Sequence, residues 1–529
     1  MRWVLWLVVI CLYETAQAQV SPVLELPQET VTDIVSRLDA HFHPERLPAD
    51  SPYHLNHAIC GTSALVNVAS HWKQLPVATK QSAIVLFQRP TLNESVLSPS
   101  GHFKVHFNRT GTHAVSTTDA DKNGIPDYVD ETMRVFDRVW AFEINQLGYK
   151  APPSDGDNIY DIYIQNLGLQ QAYGFTYPIA YPETVTPSYI EIDNDFAENI
   201  YQTRGLKGLQ VTAAHEFFHA IQFGYYADFG ASWWQEMTAT WMEDVVYPDI
   251  NDFYQYVSYF YKDPEASLDK FSGSFHPFGG AVFPHHVEQI YGASAIRKVW
   301  ETLNTKNPQI YRLSDLDTGM PIGGFGKVLP RFIVWNYLTG SRSRPGYYDE
   351  AADFPLVTTP AISLSSGGTF SGTARINYLG TTYLPVKTSG LTGGLRGIFT
   401  LGTGGDWTIL VMLISDRIEL IWPKSTTIVI PDVNKYQEVV FMPMVTSLRG
   451  SQVSVSYTLS AGLGNSQASD RVGDFDGNAT VNFSDFLAFV TGFGKTHSDA
   501  GYNSRLDLNG DGPVDFIDFL IFVSHFGES

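Results

Sequence analysis

The chain has 529 residues and carries 34 Lys and Arg against 55 Asp and Glu, a formal charge of -21. That length exceeds one compact core and implies about two to four domains. The acid excess argues against a nucleic-acid partner, because holding phosphates requires clustered Lys and Arg.

In chain order, Arg2, an apolar run and Ala16-Gln17-Ala18 form the three-part pattern of a secretory signal peptide over residues 1–18. The run is shorter than the ~20 residues that span a bilayer, and no later segment is long enough. The expectation is a secreted, extracellular or surface protein with no membrane span in the mature chain. Cys11 leaves with the signal peptide, so Cys60 has no partner for an internal disulfide.

Residues 19–100 form an N-terminal region that could be a pro-segment. Helical periodicity marks "ETVTDIVSRLDAHF" and "SALVNVASHWKQL", and "FQRPTLNESVLSPSGHF" reads as a linker. From 101 to 350 come strands such as "HFKVHF", "YDIYIQNL" and "SYIEIDND", a long amphipathic helix at 128–149, and further helices near 232–245, 252–261 and 280–302. This order predicts an α+β domain. Between 360 and 462, short apolar runs separated by Gly, Ser, Pro and Asn predict an all-β sandwich. In 470–529, "VNFSDFLAFVTGFG" returns as "VDFIDFLIFVSHFG", so the tail reads as a small α-helical, duplicated loop–helix unit.

Each copy follows an acidic loop. "DLNGDGPVDFID" sets Asp507, Asn509, Asp511, the Pro513 carbonyl, Asp515 and Asp518 around Gly512. That is the EF-hand spacing that wraps oxygens round a calcium ion. The sister loop "DFDGNATVNFSD" offers Asp474, Asp476, Asn478, the Thr480 carbonyl, Asn482 and Asp485. Ala479 stands there where glycine is expected, which predicts weaker affinity or altered geometry. Upstream, "DADKNGIPDYVD" presents Asp119, Asp121, Asn123, the Ile125 carbonyl, Asp127 and Asp130. Calcium there would brace the front of the α+β domain.

The stretch "VTAAHEFFHAIQ" carries His215, Glu216 and His219 in an apolar setting. Residues four apart share one helix face, so both imidazoles can meet a single zinc ion. Glu216, turned ~100° from His215, would stand beside the open coordination position. A carboxylate there can act as general base toward an activated water. A catalytic zinc also needs a third protein ligand.

Downstream, "SWWQEMTATWMEDVVYP" resembles the glutamate helix of gluzincins, which implies Glu236 as that third ligand. Glu243 shares the Glu236 face and could orient His215 or His219; Asp244 is its rival. With "INQLGYKAPPSDG", "AYGFTYP", "TATWMEDVVYPDINDF" and "AVFPHHVEQIYG", residues 55–305 resemble a family of secreted bacterial metalloproteases named from myxobacterial examples. Membership implies a zincin fold and hydrolysis of protein or peptide substrates. The tail resembles a type I dockerin, which implies a cohesin-like or cell-surface partner. Its helices are bulkier and more apolar than that family's usual recognition faces.

Tyr254, Tyr256, Tyr259, His276, His285 and His286 are candidates for stabilising the oxyanion. "SYIEIDND" reads as an edge strand on which an extended peptide could pair. Cys60 could cap the zinc of a latent precursor, but a thiol packed against apolar neighbours is the favoured reading. Two rivals to the protease reading remain. One is a non-catalytic, calcium-binding surface or adhesion protein on a degenerate zincin scaffold; the other is a dockerin-bearing component of a polysaccharide-degrading complex.

Overall fold

A computed structural model describes residues 26–55, 59–181, 183–271, 275–306, 311–463 and 471–529. The expected signal peptide, 1–18, lies outside them. Three helices come first: α1 (Gln28–Phe42), α2 (Thr62–Ser70) and α3 (Val77–Ala83). Then come β1 (Glu94–Leu97), β2 (Phe103–Phe107), α4 (Asp127–Trp140), β3 (Tyr160–Gln165), β4 (Gly174–Pro178) and β5 (Ser188–Asp193). The five strands form one sheet in the order β1-β2-β3-β5-β4, parallel in its middle and antiparallel at both ends.

The presumed linker at 87–103 contains β1, a strand of this sheet. "SYIEIDND" is β5, an interior strand hydrogen-bonded on both sides, and the edge is β4. The polar residues of β5 are satisfied from within: Tyr177 donates to Glu191, and Tyr201 donates to Asp193. The 128–149 helix also ends early, since the chain leaves α4 through a π-helical turn at Ala141–Gln146.

A helical layer follows: α5 (Gly205–Phe223), α6 (Ser232–Val246), α7 (Tyr254–Tyr261), α8 (His276–Gly279), α9 (Val282–Tyr291), α10 (Ala293–Asn304), α11 (Leu313–Gly319) and α12 (Phe325–Tyr337). The single helix expected at 280–302 is two, because Gly292 at φ +79° ends α9. Helix α5 lies between α4, α6 and the sheet and is buried from Gly208 to Phe223. Its apolar character on all sides follows from that.

The all-β region contains β6 (Thr369–Ile376), β7 (Leu384–Lys387), β8 (Gly394–Leu401), β9 (Trp407–Ile414), β10 (Ile418–Ile421), β11 (Thr427–Ile430), β12 (Glu438–Val445) and β13 (Val453–Leu463). It makes two four-stranded antiparallel sheets, β10-β9-β12-β7 and β11-β8-β13-β6, with a shared apolar core. "WTILVMLI" is apolar throughout because both faces of β9 are covered. Val411 and Leu413 face the partner sheet, whereas Leu410 and Met412 join the core of the helical layer.

The chain ends in α13 (Phe483–Val490) and α14 (Phe516–His525), each entered through a capping box. The repeats pair about a pseudo-two-fold axis. Gly527 N–H donates to the Val481 carbonyl, and Gly494 N–H donates to its counterpart Val514. Helix α14 docks on β10, where His525 Nε2 lies 3.1 Å from Glu419 and Nδ1 3.2 Å from Glu528. Burial opposes the charged imidazole, but the two carboxylates outweigh it and raise its pKa to about 9. A raised histidine stabilises fully below its unfolded value of 6.5 and loses that contribution as pH climbs through about 9. The melting temperature should therefore fall between those pH values, and His525→Gln should flatten that slope. Among the described residues, no helix is long and apolar enough to cross a membrane.

Candidate metal centre

Helices α5 and α6 bring together three residues that the sequence places apart. His215 Nε2 and His219 Nε2 are 3.1 Å from each other, and Glu236 Oε2 lies 3.3 Å and 3.5 Å from them. Cys60, from the segment before α2, completes the group with its Sγ 3.4 Å from His219 Nε2. All four ligand atoms lie within 4.8 Å of one another, and all four residues are buried.

The outer ring nitrogens are already engaged. His215 Nδ1 lies 2.6 Å from Glu243 Oε1, and His219 Nδ1 lies 2.8 Å from Gln222 Oε1. Gln222 is itself fixed by donating to Gln235 O and Thr238 Oγ1. With both Nδ1–H groups donating outward, two Nε2 lone pairs face each other across the centre. Among the described residues, no hydroxyl or amide donates to either oxygen of Glu236. Such a group demands positive charge. In its absence protons answer the demand: burial lowers the His219 pKa, but Cys60 and Glu236 outweigh it and carry it to about 10. Burial would likewise raise Glu236, yet the two imidazoles hold it at about 2. Two nitrogens, one carboxylate and one thiolate can hold a metal ion in a tetrahedral set.

Glu216 stands beside this set and outside it. Its Oε2 accepts from Thr62 Oγ1 at 2.8 Å and Thr176 Oγ1 at 2.7 Å, while Oε1 has no hydrogen-bond partner. The approach of β4 requires Gly174, where a Cβ would fall 2.7 Å from Glu216 Cγ. A cavity of about 20 Å³ adjoins the group, lined by Cys60, Glu216 and Tyr256 among others. That holds about one water.

Several expectations change at this point. Cys60 packs beside Tyr256 and Phe278 as foreseen, but its sulfur faces the metal group, so the purely apolar reading is wrong. Asp244 lies 3.9 Å from His285 Nε2 and takes no part in orienting the central rings; Glu243 occupies that place. Of the oxyanion candidates, Tyr256 lines the cavity, while Tyr254 packs on Phe354, Tyr259 on Phe275, His276 on Phe260, His285 on Phe253 and His286 on Trp335. Gln222, Thr62 and Thr176 were not foreseen. Only Gln222 had a legible signal, three positions after His219 on the same helix. Removing an orienting partner lowers metal affinity by about 10- to 100-fold. A metal titration of Glu243→Gln should show that loss, with little change in helix content.

The acidic loops divide. Asp119, Asp121 and Asp127 converge within 4.8 Å, as do Asp474, Asp476 and Asp485, and both groups could hold calcium. Asp130 instead accepts from Asn123 Nδ2 at 2.9 Å. Ile125 N–H and Thr480 N–H donate to Asn123 and Asn478. Ala479 takes the left-handed φ of +65° that the missing glycine would have adopted freely. Asn482 and Asp515 cap α13 and α14, so their side chains serve helix N–H groups rather than the loops. The 507 loop, the better match to the spacing, departs most. Its Asp507, Asp511 and Asp518 are not among the converging groups of the described residues. Asp507 is paired with the Arg331 guanidinium and Asn509 Nδ2 donates to Asp511. A further acidic group, Asp193, Asp195 and Glu198, also converges. There Asp193 already accepts from three backbone N–H groups and from Tyr201, which marks it as a turn brace.

No family model matches the chain, and no curated protein matches it. Among solved structures, a mutant type II cohesin–X–dockerin complex from Acetivibrio cellulolyticus is 18% identical. The match covers 25% of this chain and 96% of that one, with a TM-score of 0.12. A likeness that slight carries no argument.

Proposed function

We propose that this protein is a secreted zinc metalloendopeptidase of the zincin type. The observation that carries the reading is the convergence of His215, His219 and Glu236, with Glu216 beside them offering an oxygen free of hydrogen bonds. His215, His219 and Glu236 would hold the zinc ion, which when bound would supply an electrophile able to acidify water and polarise a peptide carbonyl. Glu216 Oε1 takes the water proton and later gives it to the departing amine. Glu243 and Gln222 hold the two rings in register, and Tyr256 is placed to donate to a developing oxyanion. The acidic loops at 119 and 474 take calcium, and the tail serves as an anchoring or interaction module for a cohesin-like or surface partner. Phe483, Leu487 and Val490 and their counterparts Phe516, Leu520 and Val523 are each about half exposed, an apolar face suited to such a role.

One observation favours a second reading. A closed four-ligand set is the mark of a structural site, which fits a non-catalytic surface protein. Casein digestion decides between them. It is run on protein trimmed between α3 and β1, because Cys60 and the segment that carries it cover the position the reaction needs. The protease reading expects digestion that stops on chelation and returns with zinc. Zinc-loaded trimmed protein that leaves casein intact sinks it.

A further inference from the structure

We propose that Cys60-Gly61-Thr62 is a built-in latency segment, so that the chain is made as an inactive precursor with its own N-terminal region lying in the substrate groove. The proposal rests on the hydrolase reading above and adds its regulation and the location of that groove.

Three features of the segment act on the same machinery. The Cys60 sulfur supplies a fourth ligand and leaves no position for a reacting water. Two residues later the Thr62 hydroxyl donates to Glu216 Oε2, so the proton acceptor is engaged by the same short stretch. Between them Gly61 lies against the Phe175 ring, where a Cβ would fall 1.9 Å from the ring. Only a residue without a side chain can press that close to the edge strand.

The backbone of this segment also takes the edge of the sheet. Ile59 N–H donates to the Gln171 carbonyl, Tyr173 N–H to Ile59, and Gly61 N–H to Gly174. Ile59 bridges Ala172 in the parallel sense. An extended peptide adding to β4 would need these backbone groups. With the segment in place, the remaining cavity of about 20 Å³ is far too small for a peptide. The occupied groove therefore identifies β4 as the substrate-binding edge.

The segment is not a free flap. Ile34 and Leu38 of α1 and Leu65 and Val68 of α2 share a buried core with Phe175, Tyr177 and Tyr189 of the sheet. Opening thus requires removal of the helical unit α1–α3. The exposed connection between α3 and β1, which includes Gln88, Thr91 and Asn93, is where a cut would free it. With a metal held by His215, His219 and Glu236, release would withdraw the Cys60 sulfur, which would take a proton from solvent and leave room for water, with no electron transferred.

The test uses the full chain loaded with cobalt in place of zinc, beside Cys60→Ser. Thiolate bound to cobalt absorbs strongly in the near ultraviolet, which reports the ligand without reference to activity. The proposal expects that band in the wild type and its loss in Cys60→Ser. It also expects zinc-loaded wild type trimmed between α3 and β1 to digest casein about tenfold faster or more than the intact chain. Bound cobalt without the thiolate band overturns the proposal and leaves the metal centre standing. The band present, with trimmed protein active but no faster than the intact chain, also overturns it and makes Cys60 a fixed structural ligand. Protein that binds no metal, or is inert both intact and trimmed, overturns the hydrolase reading and the latency with it.

Discussion

Glu216→Gln, made in protein trimmed between α3 and β1, is expected to keep its zinc and lose casein hydrolysis by about 10²- to 10⁴-fold, the usual worth of a positioned general base. The substitution is close to isosteric. The amide oxygen can still accept from Thr176, which holds Oε2 at 2.7 Å, so the packing of α5 against β4 stays intact. What disappears is the basic oxygen Oε1, which has no partner of its own. Metal content should match the parent, because Glu216 is outside the ligand set. The outcome that would sink the mechanism is hydrolysis surviving at the parental rate. Equal loss of zinc and activity would instead make Glu216 a ligand.

Arg331→Met is expected to destabilise the chain by about 3–5 kcal/mol in the presence of chelator, as breaking one side of a buried ion pair does. The Arg331 guanidinium on α12 meets both Asp507 and the Tyr502 hydroxyl, and Arg331 and Asp507 are only 6% and 1% exposed. Around the pair, Trp335 Nε1 donates to Gly510 O, Tyr347 Oη to Asn509 O, and Leu420 N to Leu508 O. The 507 loop is thus fastened into the body of the molecule. Without Arg331 the Asp507 carboxylate stays buried with no cation beside it, held only by the Gly510 and Gly512 N–H groups and the Tyr502 hydroxyl. Calcium should then recover more stability in Arg331→Met than in the wild type, because the cation replaces the guanidinium. Denaturant unfolding with and without calcium measures both effects. The double variant Arg331→Met, Asp507→Asn removes the orphaned charge and should restore part of the loss; no restoration would show that the pair is not its source.

What could be read from the residues alone follows the range of each interaction. The spacing of His215 and His219 fixes one helix face by local geometry, and the two Nε2 atoms do meet at 3.1 Å. Glu236 is implied by the resemblance of the α6 stretch, at its distance from His219, to the glutamate helix of gluzincins. Cys60 meets His219 across 159 positions; "HAICGTS" offers a thiol that could cap the metal but does not name its partner. The 507 loop shows the converse failure. Its spacing suits calcium, but Arg331, 176 positions away, claims the first ligand. Edge and interior strands were confused for a similar reason. Glu191 and Asp193 give β5 the polar alternation of a half-exposed strand, while the hydroxyls of Tyr177 and Tyr201, which satisfy them, arrive from neighbouring segments. The apolar runs of β9 and β12 were legible as buried strands, though not that one face of each belongs to a second core.

Zinc-edge X-ray absorption of the purified full-length chain tests the account at its centre. The prediction is a four-ligand shell with one sulfur at ~2.3 Å and nitrogen or oxygen at ~2.0–2.2 Å, the sulfur vanishing in Cys60→Ser. A chain that retains no zinc, or a shell of oxygens that His219→Ala leaves unchanged, would contradict it.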